Sequence, residues 1–397
     1  MSTTRVVHSS PVWLPQTQTW MHTQAQGLPA SVESHVACET TQNLDQFGLP
    51  HIHALAQGSK LYHLWDRLMR GLGLRHHLGH LPRVLKQVGA DLLHSHFGHI
   101  GWTNLRAARR QKIPHVVTYY GQDLSYLPRQ QPAWRNRYRD LFAQVQRVLC
   151  EGPHMARCVV AMGCPQHKVQ VHHLGVDLGA LGFEPRQWDG TGPVRVLMAG
   201  TFTEKKGFPD AIKALALMKE RLVKDRVDLA VTLIGDASPH LRNQEEKRRI
   251  LAAIDEGGFG DSITLLGYQP YARLLQEAYE HHLFLSPSVH AEDGDTEGGA
   301  PVTIIEMAAT GMPVVSTRHC DIPEVILQDV GGLLADEHSP DQLAEHLIRL
   351  AENPESWEPM ATAARRHLEQ HYDMHRQGKT LAGIYRSVLE PESTAGS

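Results

Sequence analysis

The chain has 397 residues, 41% hydrophobic and 21% charged, the balance of a soluble globular protein long enough for two domains. It holds no apolar run of about 18 residues, which argues against a spanning helix, and its start, MSTTRVVHSSPVWLPQ, lacks the apolar core of a secretory leader. The net charge of −4 hides an asymmetry: residues 1–190 carry 19 Lys+Arg against 11 Asp+Glu, a net of +8, and the remainder 20 against 32, a net of −12.

Elements follow in an alternating order. A first strand is expected over residues 5–14, then a helix from Gln16, with Thr17 or Thr19 as its cap. A strand over 34–38 precedes a helix over 60–72, which has the apolar spacing Leu61, Leu64, Leu68. Next come a helix over 82–88, a strand over 91–94, a polar turn over 95–98 and a helix over 102–111. Strands over 115–119, 147–150 and 169–173 alternate with helices over 133–142 and 154–162. Residues 183–193, with two prolines and two glycines, read as a linker. The alternation then restarts with strands at 195–199, 228–234, 263–265, 283–286, 313–317 and 332–335. The helices between and after them are expected over 209–222, 244–255, 271–280, 340–351, 357–370 and 374–389, ahead of a polar, frayed tail at 390–397.

This alternation predicts doubly wound parallel sheets, whose ligands sit beyond the carboxyl ends of the strands. His96, Tyr120, Asp123 and Gly175 all follow strands and are expected together at one edge. The five cysteines are odd in number and lack zinc-like spacing, which fits a reducing cytoplasm. The 27 histidines are scattered, and pairs such as His76–His77, His172–His173 and His281–His282 have no metal-ligand spacing.

Residues 290–323 are the most informative stretch: an acidic loop, Gly298-Gly299, a helix opening at Pro301, and a strand. Pro301 suits a first helical position and Gly311 a left-handed cap. The amides around Gly299, Ala300, Val302 and Thr303 then face out of a helix N-terminus, a ready phosphate site. Glu306 lies one turn in; a lone Glu there is as often a plain surface residue. The turn 199–207 adds Lys205-Lys206-Gly207 between a strand and a helix, so that Lys206 can clamp a diphosphate.

Gly200-x-Phe-x-x-Lys-Lys-Gly207, followed by Glu297-Gly and Glu306-Met-Ala-x-x-Gly-x-Pro-Val-Val315, resembles the retaining nucleotide-sugar glycosyltransferases of family four. Leu93-His-Ser-His-Phe-Gly98, Val117-Thr-Tyr-Tyr-Gly-Gln-Asp123 and His173-Leu-Gly-Val-Asp177 resemble turns of the same family, so the likeness spans the chain. Residues 14–20 are most similar to members that build exopolysaccharide or envelope glycans. The resemblance implies a GT-B fold: two Rossmann-like domains facing across a cleft, residues 1–185 for the acceptor and 193–372 for the donor. Residues 373–397 would carry a helix back to the first domain.

It also implies roles. Glu306 would hold the ribose diol, and Glu297 the donor sugar beside Gly299, Ala300, Pro301 and Val302. Lys206 would neutralise the diphosphate as the glycosidic bond loosens. Asp123 and His96 would meet the acceptor, although strand-end capping and core packing are equal alternatives. Three departures stand out. Eight residues, not seven, separate Glu297 from Glu306, with Asp293 or Asp295 as substitutes; Thr201 replaces an arginine; and Tyr120 replaces a histidine, a poor base at an ordinary pKa near 10.

The expected reaction is therefore transfer of a sugar, with retention, from a nucleotide-diphosphate sugar to a glycan or lipid-linked acceptor. It would run in the cytoplasm at the inner membrane face, with the basic half touching anionic lipid. No cofactor or metal is expected, Asp293-Gly-Asp295 reading as a polar loop, and no nucleic-acid partner, since the basic residues are not interleaved with stacking aromatics. A same-fold enzyme on a small soluble acceptor, an epimerase, and a silent sugar-nucleotide binder are the alternatives.

Overall fold

The computed structural model describes residues 3–15, 20–224 and 227–390, and the chain divides into two compact units, 1–177 with 371–397, and 178–370. The expected helix start at 16–19, with Thr17 and Thr19, and the tail 391–397 lie outside the described residues.

The first unit has strands β1 (Thr4–Ser9), β2 (Val12–Trp13), β3 (Val32–Cys38), β4 (Thr40–Thr41), β5 (Ile52–Ala54), β6 (Leu92–His96), β7 (His115–Thr118), β8 (Arg147–Cys150) and β9 (Val169–Val171). Between them run helices α1 (Trp20–Gln26), α2 (Lys60–Gly71), α3 (Leu81–Val88), α4 (Gly98–Gln111), α5 (Tyr126–Gln130), α6 (Ala133–Gln144) and α7 (Pro153–Ala161). Seven strands form one parallel sheet in the order β5-β3-β1-β6-β7-β8-β9, while β2 and β4 pair separately. The expected first strand breaks into β1 and β2 around Pro11, which has no amide to donate.

Of the turn expected at 95–98, Ser95 and His96 end a strand, Phe97 alone makes the turn at φ +75, and Gly98 opens a helix. All of Leu92–His96 is buried between β1 and β7, and α4 starts four residues earlier than its periodicity suggests. The Asp123 carboxylate accepts the Gly98 amide at 2.6 Å, so a residue 25 positions away caps this helix.

The second unit has β10 (Val194–Ala199), β11 (Leu229–Ile234), β12 (Ile263–Gly267), β13 (Leu283–Ser286), β14 (Val314–Thr317) and β15 (Leu333–Ala335), parallel in the order β12-β11-β10-β13-β14-β15. Helices α8 (Phe208–Lys224), α9 (Leu241–Glu256), α10 (Tyr271–Glu280), α11 (Val302–Ala309), α12 (Ile322–Val325), α13 (Pro340–Glu352) and α14 (Trp357–His371) surround it. Residues 183–193 do not hang free of it. Arg186 is buried and donates to the carbonyls of Ala278, His281 and Thr310.

The last helix, α15 (Met374–Leu389), belongs to the first unit. It buries Leu381, Ile384, Tyr385 and Val388 against Val6, Leu92, Val116 and Leu149 of the sheet. A Cβ on Gly378 would stand 1.8 Å from the Gly27 carbonyl oxygen, so only glycine lets α15 cross the end of α1 this closely. Gly175, expected beside the site, is occupied in the same way against the backbone of Met374.

Candidate active site

In the second unit, four loops leave the carboxyl ends of neighbouring strands β10, β13, β14 and β15 and converge. The loop after β10 closes as a single 3-10 turn, Glu204–Lys206, ended by Gly207 at φ +64. A Cβ on Gly207 would lie 2.0 Å from the Pro287 carbonyl oxygen, so the turn can press against the loop after β13 only without a side chain.

That contact brings Lys206 to Glu297: Nζ and Oε1 are 2.8 Å apart, both largely shielded from water. Ser288 Oγ donates to the same carboxylate oxygen at 3.0 Å. Burial opposes ionisation of Glu297, but Lys206 and Lys205 outweigh it and hold the carboxyl at about 2. Lys205 reaches the Thr296 carbonyl at 3.0 Å and Asp295 at 3.3 Å; burial would lower its pKa, and Glu297 with Asp295 raises it instead. Asp293 and Asp295, the named substitutes for Glu297, are engaged elsewhere. Arg242 donates to Asp293 at 2.6 Å, and Asp293 accepts the Asp295 amide at 2.9 Å.

A second layer behind Glu297 was not visible in the sequence. Its amide donates to His319 Nε2 at 3.1 Å, and His319 Nδ1 lies 2.8 Å from Glu337 Oε1. His290 contacts the same carboxylate at 2.8 Å and has its pKa raised by that bond. Burial alone would raise Glu337, but His290 and His319 hold it well below the carboxylate range. His290, His319 and Cys320 bring three potential metal-ligating atoms within 4.8 Å of one another, with His319 already committed at both nitrogens.

Pro301, expected at the first helical position, is instead the N-cap residue of α11, which begins at Val302, and Gly311 follows the helix at φ +94. The amides of Val302 and Thr303 open the helix and have no carbonyl one turn back within it. Gly299 and Ala300 lead into this end, and Thr201 lies in the turn after β10, its carbonyl accepting the Thr203 amide at 2.8 Å. On α11, Glu306 Oε1 accepts the Tyr271 hydroxyl of α10 at 2.9 Å. Burial pushes its carboxyl up to about 7, the Tyr271 bond only partly offsetting this.

In the first unit, His96 Nδ1 and the Tyr120 hydroxyl are 2.6 Å apart, and His96 Nε2 faces His8 Nδ1 at 3.1 Å. The Trp20 ring packs on Tyr120 with centroids 4.0 Å apart. His96 is fully buried and Tyr120 half-buried, so the tyrosine is the more accessible of the two. The scattered histidines thus meet in three dimensions: His8, His94 and His96 lie within 4.8 Å by their nitrogens. His94 is committed to the hydroxyls of Tyr385 and Thr118, each at 2.7 Å. Burial holds His8 at about 4 and keeps His94 and His96 well below 6.5. Asp123 accepts the amides of Gly98 and Tyr120, and its backbone carbonyl accepts the Tyr138 hydroxyl at 2.6 Å. Burial pushes its carboxyl up to about 6 against those amide bonds. It shapes the turn that carries Tyr120.

Two family models match the chain: Glycosyltransferase Family 4 over residues 17–180, and Glycosyl transferases group 1 over residues 185–367. The amylovoran biosynthesis glycosyltransferase AmsK of Erwinia amylovora is 31% identical over 77% of this chain and 73% of its own length. The putative colanic acid biosynthesis glycosyltransferase WcaL of Salmonella typhimurium is 27% identical over 93% of this chain and 86% of its own. Among solved structures, Anabaena Alr3699/HepE in complex with UDP and glucose superposes with a TM-score of 0.74 at 16% identity, covering 97% of this chain and all of that one. Sucrose-phosphate synthase from Thermosynechococcus elongatus gives 0.73 at 16% identity, over 98% of this chain and all of that one. The shared architecture is GT-B, each half a Rossmann-like sheet.

Proposed function

The chain belongs to glycosyltransferase family 4, and from that premise we propose that it is a retaining hexosyltransferase acting on a nucleotide-diphosphate sugar. Its acceptor is a glycan or lipid-linked glycan, in the assembly of an exopolysaccharide or other envelope glycan at the inner membrane face. The names of the amylovoran and colanic acid relatives support that setting. The observation that carries the reading is the shielded Lys206–Glu297 pair on the loop that leads into the open N-terminus of α11.

An arriving diphosphate competes with Glu297 for Lys206 and lies against the amides of Val302 and Thr303. Glu297, released from part of its ion pair, accepts sugar hydroxyls, and Glu306 accepts the two hydroxyls of the ribose. The bond from the anomeric carbon to the phosphate oxygen breaks, with Lys206 stabilising the charge on the leaving diphosphate. The acceptor oxygen bonds to the same face of that carbon and its proton passes to a departing phosphate oxygen, which gives retention without a covalent enzyme intermediate. Tyr120 orients the acceptor hydroxyl, with His96 behind it. In this reading no metal is needed.

A panel of UDP-, GDP- and ADP-sugars, scored by thermal shift and released nucleotide with and without chelator, tests the reading. One donor class is expected to stabilise and turn over equally in both conditions. Glu306→Ala is expected to cut turnover at least about 100-fold with the fold intact, since a buried group made to hold a diol loses both bonds. Full activity in that variant would remove Glu306 from the site.

A further inference from the structure

Helix α2 is inside out. Part of its polar side faces the protein: Asp66 is fully buried, accepting Arg70 Nε at 2.9 Å and Arg75 at 2.8 Å. Glu39, just past β3, accepts His63 at 3.0 Å and lies 2.8 Å from Arg70. The apolar side faces out. Leu61 is 80% exposed, Leu64 68%, Leu68 57%, Leu72 63% and Trp65 44%. These positions are spaced as one stripe along a helix, and Leu74 extends it. A monomer in water gains nothing from five large apolar side chains in a line, and such a patch marks a surface that meets another phase or partner.

We propose that this stripe inserts into the interface of an anionic lipid bilayer. Three observations select lipid. The stripe is a ridge on a single helix rather than a groove, so it suits a fluid surface better than a shaped protein partner. Its borders carry cations: Lys60 and Arg67 are exposed, Arg67 reaching Glu39 only at 4.0 Å, and Arg75, paired with Asp66 at 2.8 Å, stacks over Trp65 at 4.7 Å. The helix has one acidic residue, Asp66, and that is neutralised inside. The basic excess of residues 1–190 has the same sign. Among the described residues no helix is long and apolar enough to cross a membrane, so α2 would lie in the interface plane.

The position of α2 gives the contact a use. Ser59 caps it just after the carboxyl end of β5, and Glu39 anchors it at the carboxyl end of β3. That is the sheet edge that carries His96 and Tyr120. Lipid docking through α2 would therefore present this edge to a membrane-bound acceptor, an inference that rests on the proposed lipid-linked acceptor.

The test is flotation of the full chain with vesicles of phosphatidylcholine alone and of an equal phosphatidylcholine–phosphatidylglycerol mixture. Wild-type protein is expected to float with the mixture, less so at high salt. The combined variant Leu61→Ser, Leu64→Ser, Leu68→Ser is expected to lose binding at least about tenfold, with an unchanged thermal midpoint, because these side chains are exposed. Lys60→Gln with Arg67→Gln is expected to weaken binding to the anionic mixture only. Vesicle binding that survives the leucine changes would overturn the proposal. So would absence of vesicle binding, whether or not light scattering reveals a dimer that the same changes dissolve; such a dimer would assign the stripe to a second copy. Donor turnover in detergent is measured in parallel. If the protein floats but turns over no donor, the enzymatic reading fails and the lipid surface stands. If it turns over donor but does not float, the reverse holds.

Discussion

In the second unit the candidate site is built from charge. Lys206 faces Glu297, Lys205 faces Asp295, and Glu337 faces two histidines, all at the carboxyl ends of adjacent strands. In the first unit the corresponding strand ends carry Tyr120, His96 and His8, with Trp20 of α1 packed on Tyr120, and burial keeps the imidazoles neutral. One site is preorganised for an anion and already holds a carboxylate as a stand-in for it. The other offers hydroxyl and ring faces, the chemistry that suits an uncharged sugar. The difference fits the proposed pair of substrates, a donor that brings two negative phosphates and an acceptor that brings only a hydroxyl. It also makes opposite demands on pH: the charged site should titrate through Glu306 near 7, whereas the rings of the neutral one should not change charge there.

The largest effect is expected from Lys206→Met. It leaves Glu297 buried with only the more distant Lys205, and a buried charge stripped of its partner costs about 3–5 kcal/mol. Denaturant unfolding should show that loss near pH 7, and donor turnover should disappear. Adding Glu297→Gln should restore most of the stability without restoring turnover. The sign with pH follows from the depressed carboxyl. Its stabilising contribution is present above the unfolded carboxylate value and is lost as pH falls through that value toward about 2. The gap between wild type and Lys206→Met should therefore narrow on acidification. A variant as stable as wild type at pH 7 would show that the ion pair does not organise the site.

Glu306 should behave in the opposite way. Burial raises its carboxyl to about 7, so the folded state holds a proton that the unfolded chain releases near 4.3. Stability is then highest at low pH and declines as pH rises between those values, the ionised form being the penalised one. Glu306→Gln should remove this slope and raise stability at pH 8 by about 1–3 kcal/mol, while donor affinity falls. In the proposed function the ionised form holds the ribose diol, so wild-type donor affinity should improve as pH climbs through 7. Identical unfolding profiles of the two proteins from pH 5 to 8 would contradict the burial argument.

Much of this contrast was legible in the sequence, and the unread part has a physical cause. The strand–helix alternation, Lys206 and the helix bearing Glu306 are local patterns, carried by turn glycines and apolar spacing, and the structure keeps them. The support of Glu297 by His319 and Glu337 is not local, because β14 and β15 must fold beside β13 before those loops meet. The spacing Leu61, Leu64, Leu68 announced an amphipathic helix but could not say which side faces inward. Glu39 and Arg75 decide that by meeting its polar side. Residues 183–193 read as a linker by composition, yet one buried guanidinium, Arg186, ties them to the second unit.

The smallest effect, and the sharpest probe of the neutral site, is Tyr120→Phe. The phenol is kept protonated far above 10, first by burial and then by nearby Glu151, so it acts as a hydrogen-bond partner and not as a base. Removing it orphans His96 Nδ1, a fully buried atom, at a cost of about 1–3 kcal/mol in stability. In the proposed function Lys206 and Glu306 hold the donor and this change leaves both in place, so nucleotide-induced thermal stabilisation should be unchanged. Turnover should fall about tenfold through kcat and the acceptor KM, and by the same factor at every pH from 6 to 9, since neither Tyr120 nor His96 changes charge there. A loss that grows or vanishes with pH would mean that the tyrosine–histidine pair exchanges a proton during the reaction, and the division into a charged and a neutral site would have to be redrawn at Tyr120.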